Sequence, residues 1–418
     1  MNNNFSNVSD EQRDFLYKLD LQEIVDKYGS PLYLYDERTL RKRCEEMRGL
    51  IKYPQFSVNY SIKANSNIEL LKIVKEEGIN ADAMSPGEIY VLLKAGFRPD
   101  QIFYIGNNVS AEEMQYAIDH GVLVSVDSIS QLETYGKIHK GGKVAVRFNA
   151  GIGAGHHEKV VTAGSKTKFG IDNTLVEEVK NIADKYALKI VGVNQHIGSL
   201  FLDGRAYLEG VKGLLAIASK FPELEFIDLG GGFGIPYKGH MGEGKLDLLG
   251  MSIKLDAILK EWMKQYGRNA QIKIEPGRYI VAECGTLLGT VHSVKTNYNT
   301  KYIGTDIGFN VLMRPVMYDS YHEIKVFRNG KELDNSKGSK ATVVGNICET
   351  GDILARDREL PDIEEGDIIA VLDAGAYGYS MSSNYNMRLR PAEAIICKDG
   401  SHKLIRKRDT LEALLSGF

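Results

Sequence analysis

Cysteine is scarce, with four thiols (Cys44, Cys284, Cys348 and Cys397) in 418 residues and none at metal-ligand spacing. A disulfide framework is thereby excluded, and the four read as free thiols. Charge of one sign is also lacking. The 52 basic and 55 acidic residues leave a net charge of -3 spread along the chain, which gives no reason to expect nucleic acid or an anionic membrane as partner. Apolar runs such as Gly-Leu-Leu-Ala-Ile-Ala at 213–218 fall far short of the roughly 20 residues that span a bilayer. The opening stretch, MNNNFSNVSDEQRDF, has neither the basic start nor the apolar core of a secretory signal. No zinc site, internal repeat or low-complexity segment is evident. These absences lead us to expect a cytoplasmic protein that acts on a small molecule.

What is present is rhythm. Between residues 55 and 277, short β-branched runs alternate with helical stretches, at 56–62, 79–83, 102–105, 123–126, 144–148, 190–195, 226–229 and 272–274. Eight strands separated by helices suggest a (β/α)8 barrel, although counting does not establish closure and a doubly wound sheet stays open. Nearly every run ends in polar residues or glycine: Lys63, Ser85, Asn107, Asp127, Asn149, His196, Gly230 and Glu275. Barrel enzymes build their sites at that end. After Glu275 the helical pattern gives way to β runs with turn signals, which reads as a mainly antiparallel β domain. The strand-like Pro31-Leu-Tyr-Leu-Tyr35 precedes the barrel and has no partner in it, so it is assigned to the β domain. The predicted division is an N-terminal segment 1–37, a barrel 38–283 and a β domain 284–418.

Several residues carry possible chemistry, each with a plainer explanation beside it. The period of two along the first strand puts Ser57, Asn59, Ser61 and Lys63 on one face, with Lys63 inward. Lys63 reads either as a strand-end lysine extended to solvent or as an amine able to condense with an aldehyde. Asp228-Leu-Gly-Gly-Gly-Phe-Gly234 is either a tight turn or a phosphate cradle. It fits a dinucleotide fingerprint poorly, because Ile235 stands where the third glycine should be, and Gly151-Ile-Gly-Ala-Gly155 fails in the same way at His156. Glu275 could face a pyridine nitrogen across the barrel mouth, or pair structurally with an arginine such as Arg147. His196 could stack on a flat ring, or be a hydrogen-bonded structural histidine.

Taken in order, these motifs resemble the fold-type III pyridoxal-phosphate decarboxylases, which have an alanine-racemase-like barrel and a C-terminal β domain. The resemblance runs from Pro31 to Pro391. It rests on Asn59-Tyr-Ser-Ile-Lys-Ala-Asn65, Asp82-Ala-Met-Ser-Pro-Gly-Glu88, His196-Ile-Gly-Ser199, the loop 230–234, Glu275-Pro-Gly-Arg278, Arg314-Pro-Val-Met-Tyr318, Cys348-Glu-Thr-Gly-Asp352 and Ala374-Gly-Ala-Tyr377. It implies that Lys63 holds the cofactor aldehyde, His196 stacks on the ring and Glu275 pairs with the pyridinium. Asp82, Ser199, Gly231, Gly232, Gly277, Arg278 and Tyr377 fall in the cofactor site by the same resemblance.

Glu349 after Cys348, where ornithine and arginine enzymes carry aspartate, makes the segment similar to that of the diaminopimelate decarboxylases. The implied substrate is then meso-2,6-diaminopimelate, decarboxylated to L-lysine in the last step of lysine biosynthesis. Arg278, Arg314, Tyr318, Glu349 and Tyr377 are implied in substrate binding, and Cys348 as the acid near the α-carbon, its plainer reading being a small buried apolar residue. The family places the Cys348 segment in the partner's site, which implies a head-to-tail homodimer with two shared sites. Thr350, Ala150, Leu200 and the segment 155–159 depart from the usual pattern, and an ordinary loop role suits His156 and His157. A decarboxylase for a related amino acid or a carrier-tethered glutamyl group, and an inactive regulatory homologue, are the competing readings.

Overall fold

The computed structural model of the chain describes residues 15–16, 18–149, 151, 164, 167–335 and 338–418. Contacts divide it into two units, one of residues 43–235 and 245–280 and one of the described residues in 1–42, 236–244 and 281–418.

The first unit is a closed barrel. Eight parallel strands build it: β2 (Phe56–Ser61), β3 (Asn80–Ala83), β4 (Ile102–Tyr104), β5 (Leu123–Val126), β6 (Lys143–Asn149), β8 (Lys189–Asn194), β9 (Phe226–Asp228) and β10 (Gln271–Ile274). They follow the order β5-β4-β3-β2-β10-β9-β8-β6, and a β5–β6 pairing through Ser125 and Ala145 joins the two ends. A doubly wound sheet has two free edges, so this pairing decides for the barrel. A two-residue strand, β7 (Ile171–Asp172), extends the end of β6. Short polar caps start the helices that follow: Asn67, Ser85, Ser110, Ser128 and Asp247 each accept a backbone N–H of the first turn.

Register identifies which side chains share the interior. Ser57 pairs with Lys273, Asn59 with Asn80, Ser61 with Asp82, Asp82 with Phe103, Arg147 with Asn194, and Asn194 and Lys273 with Asp228. Paired residues point to the same face. Two contacts between strands that are not neighbours show that this face is the inside: Ser125 Oγ donates to Asn194 Oδ1 at 2.7 Å, and the Phe103 and Phe226 rings meet edge to face at 5.3 Å. The alternate residues, among them Val58, Ile227, Ile272 and Ile274, are buried apolar side chains on the helix face. The barrel is therefore oily outside its strands and polar within.

The second unit is a ten-stranded, mainly antiparallel sheet. Its central path runs β14 (Lys331–Glu332), β13 (Ile324–Arg328), β17 (Ile368–Val371), β11 (Gly285–Asn297), β1 (Leu32–Asp36), β18 (Ala392–Ile396) and β19 (His402–Arg406). Off this path, β12 (Thr300–Thr305), β15 (Ser339–Val344) and β16 (Ile353–Leu360) continue from β11. The expected N-terminal strand is taken up as β1, antiparallel to β11 and parallel to β18, with all five residues buried. Its tyrosines satisfy their hydroxyls inside the unit, Tyr33 to the Val311 carbonyl and Tyr35 to Glu393 Oε1, both at 2.7 Å. Residues 236–244, within the span predicted as barrel, cluster with this unit, where Tyr237 packs on His322 with ring centroids 5.3 Å apart.

Gly192 shows how tightly the barrel floor is filled. A Cβ there would lie 2.1 Å from the Phe226 ring, which is itself lodged against Phe103 and the Lys273 ammonium. Gly192→Ala is expected to overpack the floor and cost about 1–3 kcal/mol. Chemical denaturation of the two proteins measures this; equal midpoints would mean that the floor can yield.

Candidate active site

The chain turns sharply as it leaves β2. Strand geometry ends at Ser61, and Lys63 sits in a 3-10 turn, Ile62–Ala64. The period-two argument for its direction therefore does not reach it, and the strand expected over 56–62 is corrected to Phe56–Ser61. Local hydrogen bonds hold the turn instead: Tyr60 donates to the Asn65 carbonyl at 3.0 Å, and Asn65 Oδ1 accepts the Asn67 N–H at 3.0 Å. The Lys63 ammonium acts electrostatically on Asp82, Glu88, Glu275 and His196, so the turn delivers it to the mouth by another route.

Glu275, 4 % exposed, follows β10, which pairs directly with β2, so it stands at the strand end next to that of Lys63 and not across the mouth from it as expected. Its N–H donates to the Gly230 carbonyl at 3.1 Å and its own carbonyl accepts Ser61 Oγ at 3.2 Å, so the glutamate backbone ties together three strand ends. Burial pushes the carboxyl up, while Lys63 and Arg147 pull it down. His196 Nδ1 is 3.7 Å from Glu275 Oε2 but accepts the Gly231 N–H at 3.3 Å. That nitrogen therefore bears no proton, and the ring is the neutral tautomer. Burial, then the cations Lys63 and Arg147, hold its pKa well below the ordinary histidine value. No ion pair forms between the two side chains; His196 is a flat neutral ring beside a carboxylate.

The glycine loop packs backbone against backbone. A Cβ on Gly231 would fall 1.9 Å from the Glu275 carbonyl, and one on Gly232, at φ +107°, 2.5 Å from the Gly198 carbonyl. Close packing thus accounts for these glycines without any ligand. Arg278, 6 % exposed, donates from Nη2 to Ser199 Oγ at 3.0 Å, and Gly277 packs against Ser61 and Ala64. Asp82 is fully buried, accepting Ser61 Oγ at 2.7 Å; burial and then Glu275 raise its pKa well above normal, against the pull of Lys63. The rest of its motif caps a helix: Ser85 Oγ accepts the Glu88 N–H, and Glu88 accepts the Met84 N–H at 2.6 Å.

Five proposed residues belong to the β unit and are described within it. Arg314 is 1 % exposed, its guanidinium 4.6 Å from the Tyr237 ring centroid and 2.8 Å from His322 Nε2. His322 Nδ1 faces the Leu372 carbonyl at 2.8 Å and must carry the ring proton, so Nε2 accepts from Arg314 and the imidazole is neutral. Tyr318 ends the short helix Arg314–Tyr318. Tyr377 is half-buried with φ +57°. Cys348 and Glu349 are exposed, which excludes the buried apolar reading of Cys348. Tyr385 donates to Glu349 Oε1 at 2.6 Å, and buried Asp352 knots the loop by accepting the Ile347 and Phe309 N–H groups at 2.7 Å. Ala150, His156 and His157 lie outside the described residues.

Sequence reasoning passed over Lys273 and Asp228 as interior charges and treated Arg147 only as a foil to Glu275. The signal was available in Gln271-Ile-Lys-Ile-Glu275, where polar residues alternate in a strand buried on both faces.

An amine, a carboxylate with a neutral flat ring beside it, and an arginine–serine pair form a donor set suited to an aldehyde-bearing pyridine with an anionic arm. The comparisons agree. The pyridoxal-binding domain model of the pyridoxal-dependent decarboxylases matches residues 37–282. A diaminopimelate decarboxylase of Methanothermobacter thermautotrophicus is 42 % identical over 98 % of this chain and 96 % of its own length. The crystal structure of the Helicobacter pylori diaminopimelate decarboxylase complexed with L-lysine superposes with a TM-score of 0.86, at 33 % identity, covering 94 % of this chain and 98 % of that one. A Vibrio vulnificus lysine/ornithine decarboxylase complexed with putrescine, at 19 % identity and a TM-score of 0.77 over 91 % of this chain and 98 % of that one, shares the fold. The chain belongs to the pyridoxal-dependent decarboxylases and, among them, to the diaminopimelate decarboxylase family.

Asp82→Asn tests the electrostatics of the mouth. Burial raises the folded Asp82 carboxyl above its unfolded value of about 4, so the wild type loses stability relative to the variant as pH rises through that value. Thermal unfolding of the cofactor-free proteins should coincide below about pH 4 and separate toward neutrality, with the asparagine variant melting higher. A gap that is constant or reversed would contradict the burial account.

Proposed function

We propose that this chain decarboxylates meso-2,6-diaminopimelate to L-lysine and carbon dioxide with pyridoxal 5'-phosphate, as the last step of lysine biosynthesis. The observation that carries the reading is the convergence of Lys63, Glu275 and neutral His196 at the C-terminal ends of the barrel strands. Near-full-length similarity to diaminopimelate decarboxylases supports the choice of substrate.

In this reading, Lys63 would hold the cofactor by its aldehyde through the side-chain amine, the position that the substrate's amino group would take. Pyridoxal phosphate, when bound, would supply the electron sink that decarboxylation needs. Glu275 would hold a proton at the pyridine nitrogen, and neutral His196 would offer a flat face to the ring without competing for that proton. Ser199, Gly231, Gly232, Gly277 and Arg278 would hold the phosphate, and Asp82 and Tyr377 would also serve cofactor binding. Arg278, Arg314 and Tyr318 hold the distal carboxylate, since a guanidinium presents a fork that a carboxylate matches. Glu349 receives the distal ammonium and Tyr377 also lines the substrate end.

Cys348 would be the acid near the α-carbon, serving the neighbouring subunit's site in a head-to-tail homodimer with two shared sites. Exposure of Cys348, Glu349, Tyr385 and Met387 on the chain's own surface supports that placement. No helix among the described residues is long and apolar enough to cross a membrane, and we assign the enzyme to the cytoplasm.

Carbon dioxide release across diaminopimelate, lysine, ornithine, arginine and glutamate tests the substrate. The wild type should prefer meso-diaminopimelate, and a preference for lysine or ornithine would move the function to a related decarboxylase. The shared site is tested by subunit exchange. Mixing inactive Lys63→Ala and Cys348→Ala proteins should restore activity, because one of the two sites in a heterodimer is wholly wild type. With exchange confirmed, a mixture that stays inactive would place the site within one chain.

A further inference from the structure

Besides Asp82 Oδ1, two carboxylate oxygens inside the barrel are buried without a hydrogen-bond partner, Asp228 Oδ2 and Glu275 Oε1. They sit on neighbouring strands. Asp228 pairs in register with Lys273, and Glu275 stands two residues further along the same interior face. The two carboxyl groups lie within hydrogen-bonding reach of each other. The other Asp228 oxygen, Oδ1, accepts the Gly230 N–H at 2.9 Å, which fixes the side chain with Oδ2 turned away from that loop.

Two ionised carboxylates in such contact repel, and each orphan oxygen bears the cost of lost hydration. A single proton between them removes both penalties. We propose that Asp228 is held as the neutral acid and donates its Oδ2 hydrogen to Glu275 Oε1, so that the pair carries one negative charge and keeps it on Glu275.

The surroundings decide which partner holds the proton. Glu275 is faced by Lys63 after β2, Arg147 on β6 and Lys273 on its own strand, and these cations favour its ionised form. Asp82 on β3 and the unprotonated Nδ1 of His196 complete that environment. Asp228 is 0 % exposed, and Lys273 is the cation that acts on it, with the buried Tyr207 also close by. Five carboxyls in this cluster (Asp82, Glu88, Asp127, Asp228 and Glu275) face the three cations Lys63, Arg147 and Lys273, so full ionisation would leave net negative charge in a buried space. Asp228 is thereby a positioning residue: it touches no substrate and acts through Glu275. What the retained charge does at the pyridine nitrogen rests on the function proposed above, whereas the proton-sharing pair itself does not.

Infrared difference spectroscopy on the cofactor-free protein at neutral pH reads the pair directly. The wild type minus Asp228→Asn spectrum should contain the carbonyl stretch of a protonated carboxyl group, lying above the amide and carboxylate bands and moving on deuteration. No such band in the difference spectrum would overturn the proposal, whatever reaction the enzyme catalyses. In the holoenzyme the asparagine amide can donate the same hydrogen bond, so Asp228→Asn should keep turnover within about threefold of wild type. Asp228→Leu, which cannot donate, should lower kcat by about tenfold or more with KM little changed, and should shift the pH profile of the cofactor's visible absorbance. Equal losses in both variants at equal cofactor content would also overturn it. If the leucine variant is insoluble, the infrared difference alone decides.

Discussion

A carboxylate buried among strands loses the water that stabilises its charge, and the protein interior must replace that stabilisation with donors and cations. Glu275 sets this demand, and much of the barrel can be understood as the response to it. Ser61, Asp82, Arg147, Asn194, Asp228 and Lys273 line the interior at successive strand positions where many barrels place branched apolar side chains. Below them, Phe103 and Phe226 close the floor, with the Lys273 ammonium 4.2 Å above the Phe226 ring. An aromatic face is a partner a lysine can accept where hydration is poor. Above them, the glycine loop brings its backbone so close to Glu275 that the carboxylate's position and the loop's path fix each other.

The same demand explains why His196 is neutral. With Lys63 and Arg147 nearby, a charged imidazole would add a third cation to a crowded mouth, and the Gly231 N–H occupies the nitrogen that would otherwise take the proton. The site therefore separates its roles by environment: an amine, a carboxylate and an uncharged ring stand side by side, and burial with the nearby cations keeps the ring neutral.

Much of this was legible in the sequence because strand periodicity and strand-end chemistry are local signals. The eight runs, the polar residue ending each, and the orphan strand at Leu32–Asp36 could be read without coordinates. Closure could not, since it depends on the pairing of Ser125 with Ala145 from different strands. The turn at Lys63 was hidden because the hydrogen bonds that end β2 early come from Tyr60 and Asn65, residues that an alternating pattern treats as ordinary strand positions. Lys273 was overlooked for the opposite reason: its alternation was visible, but a lysine in mid-strand was not recognised as facing inward until Asp228 was found beside it. The partners of Arg314, His322 at 2.8 Å and Tyr237 77 residues before it, were likewise beyond any local pattern.

The placement of β1 has a consequence for how the molecule comes into being. Leu32–Asp36 leaves the ribosome before any strand of the barrel, yet its antiparallel partner begins at Gly285 and its parallel partner at Ala392. The nascent chain must carry this strand, with its four apolar and aromatic residues Leu32 to Tyr35, through the synthesis of the whole barrel before either edge can be paired, and an unpaired ribbon of that kind invites association with other chains. The barrel, whose strands are all made within one continuous stretch of translation, can close while that ribbon waits. Synthesis of β1 ahead of the barrel and its pairing after it thus make the emergence of β11 and β18 the step at which assembly of the second unit is committed.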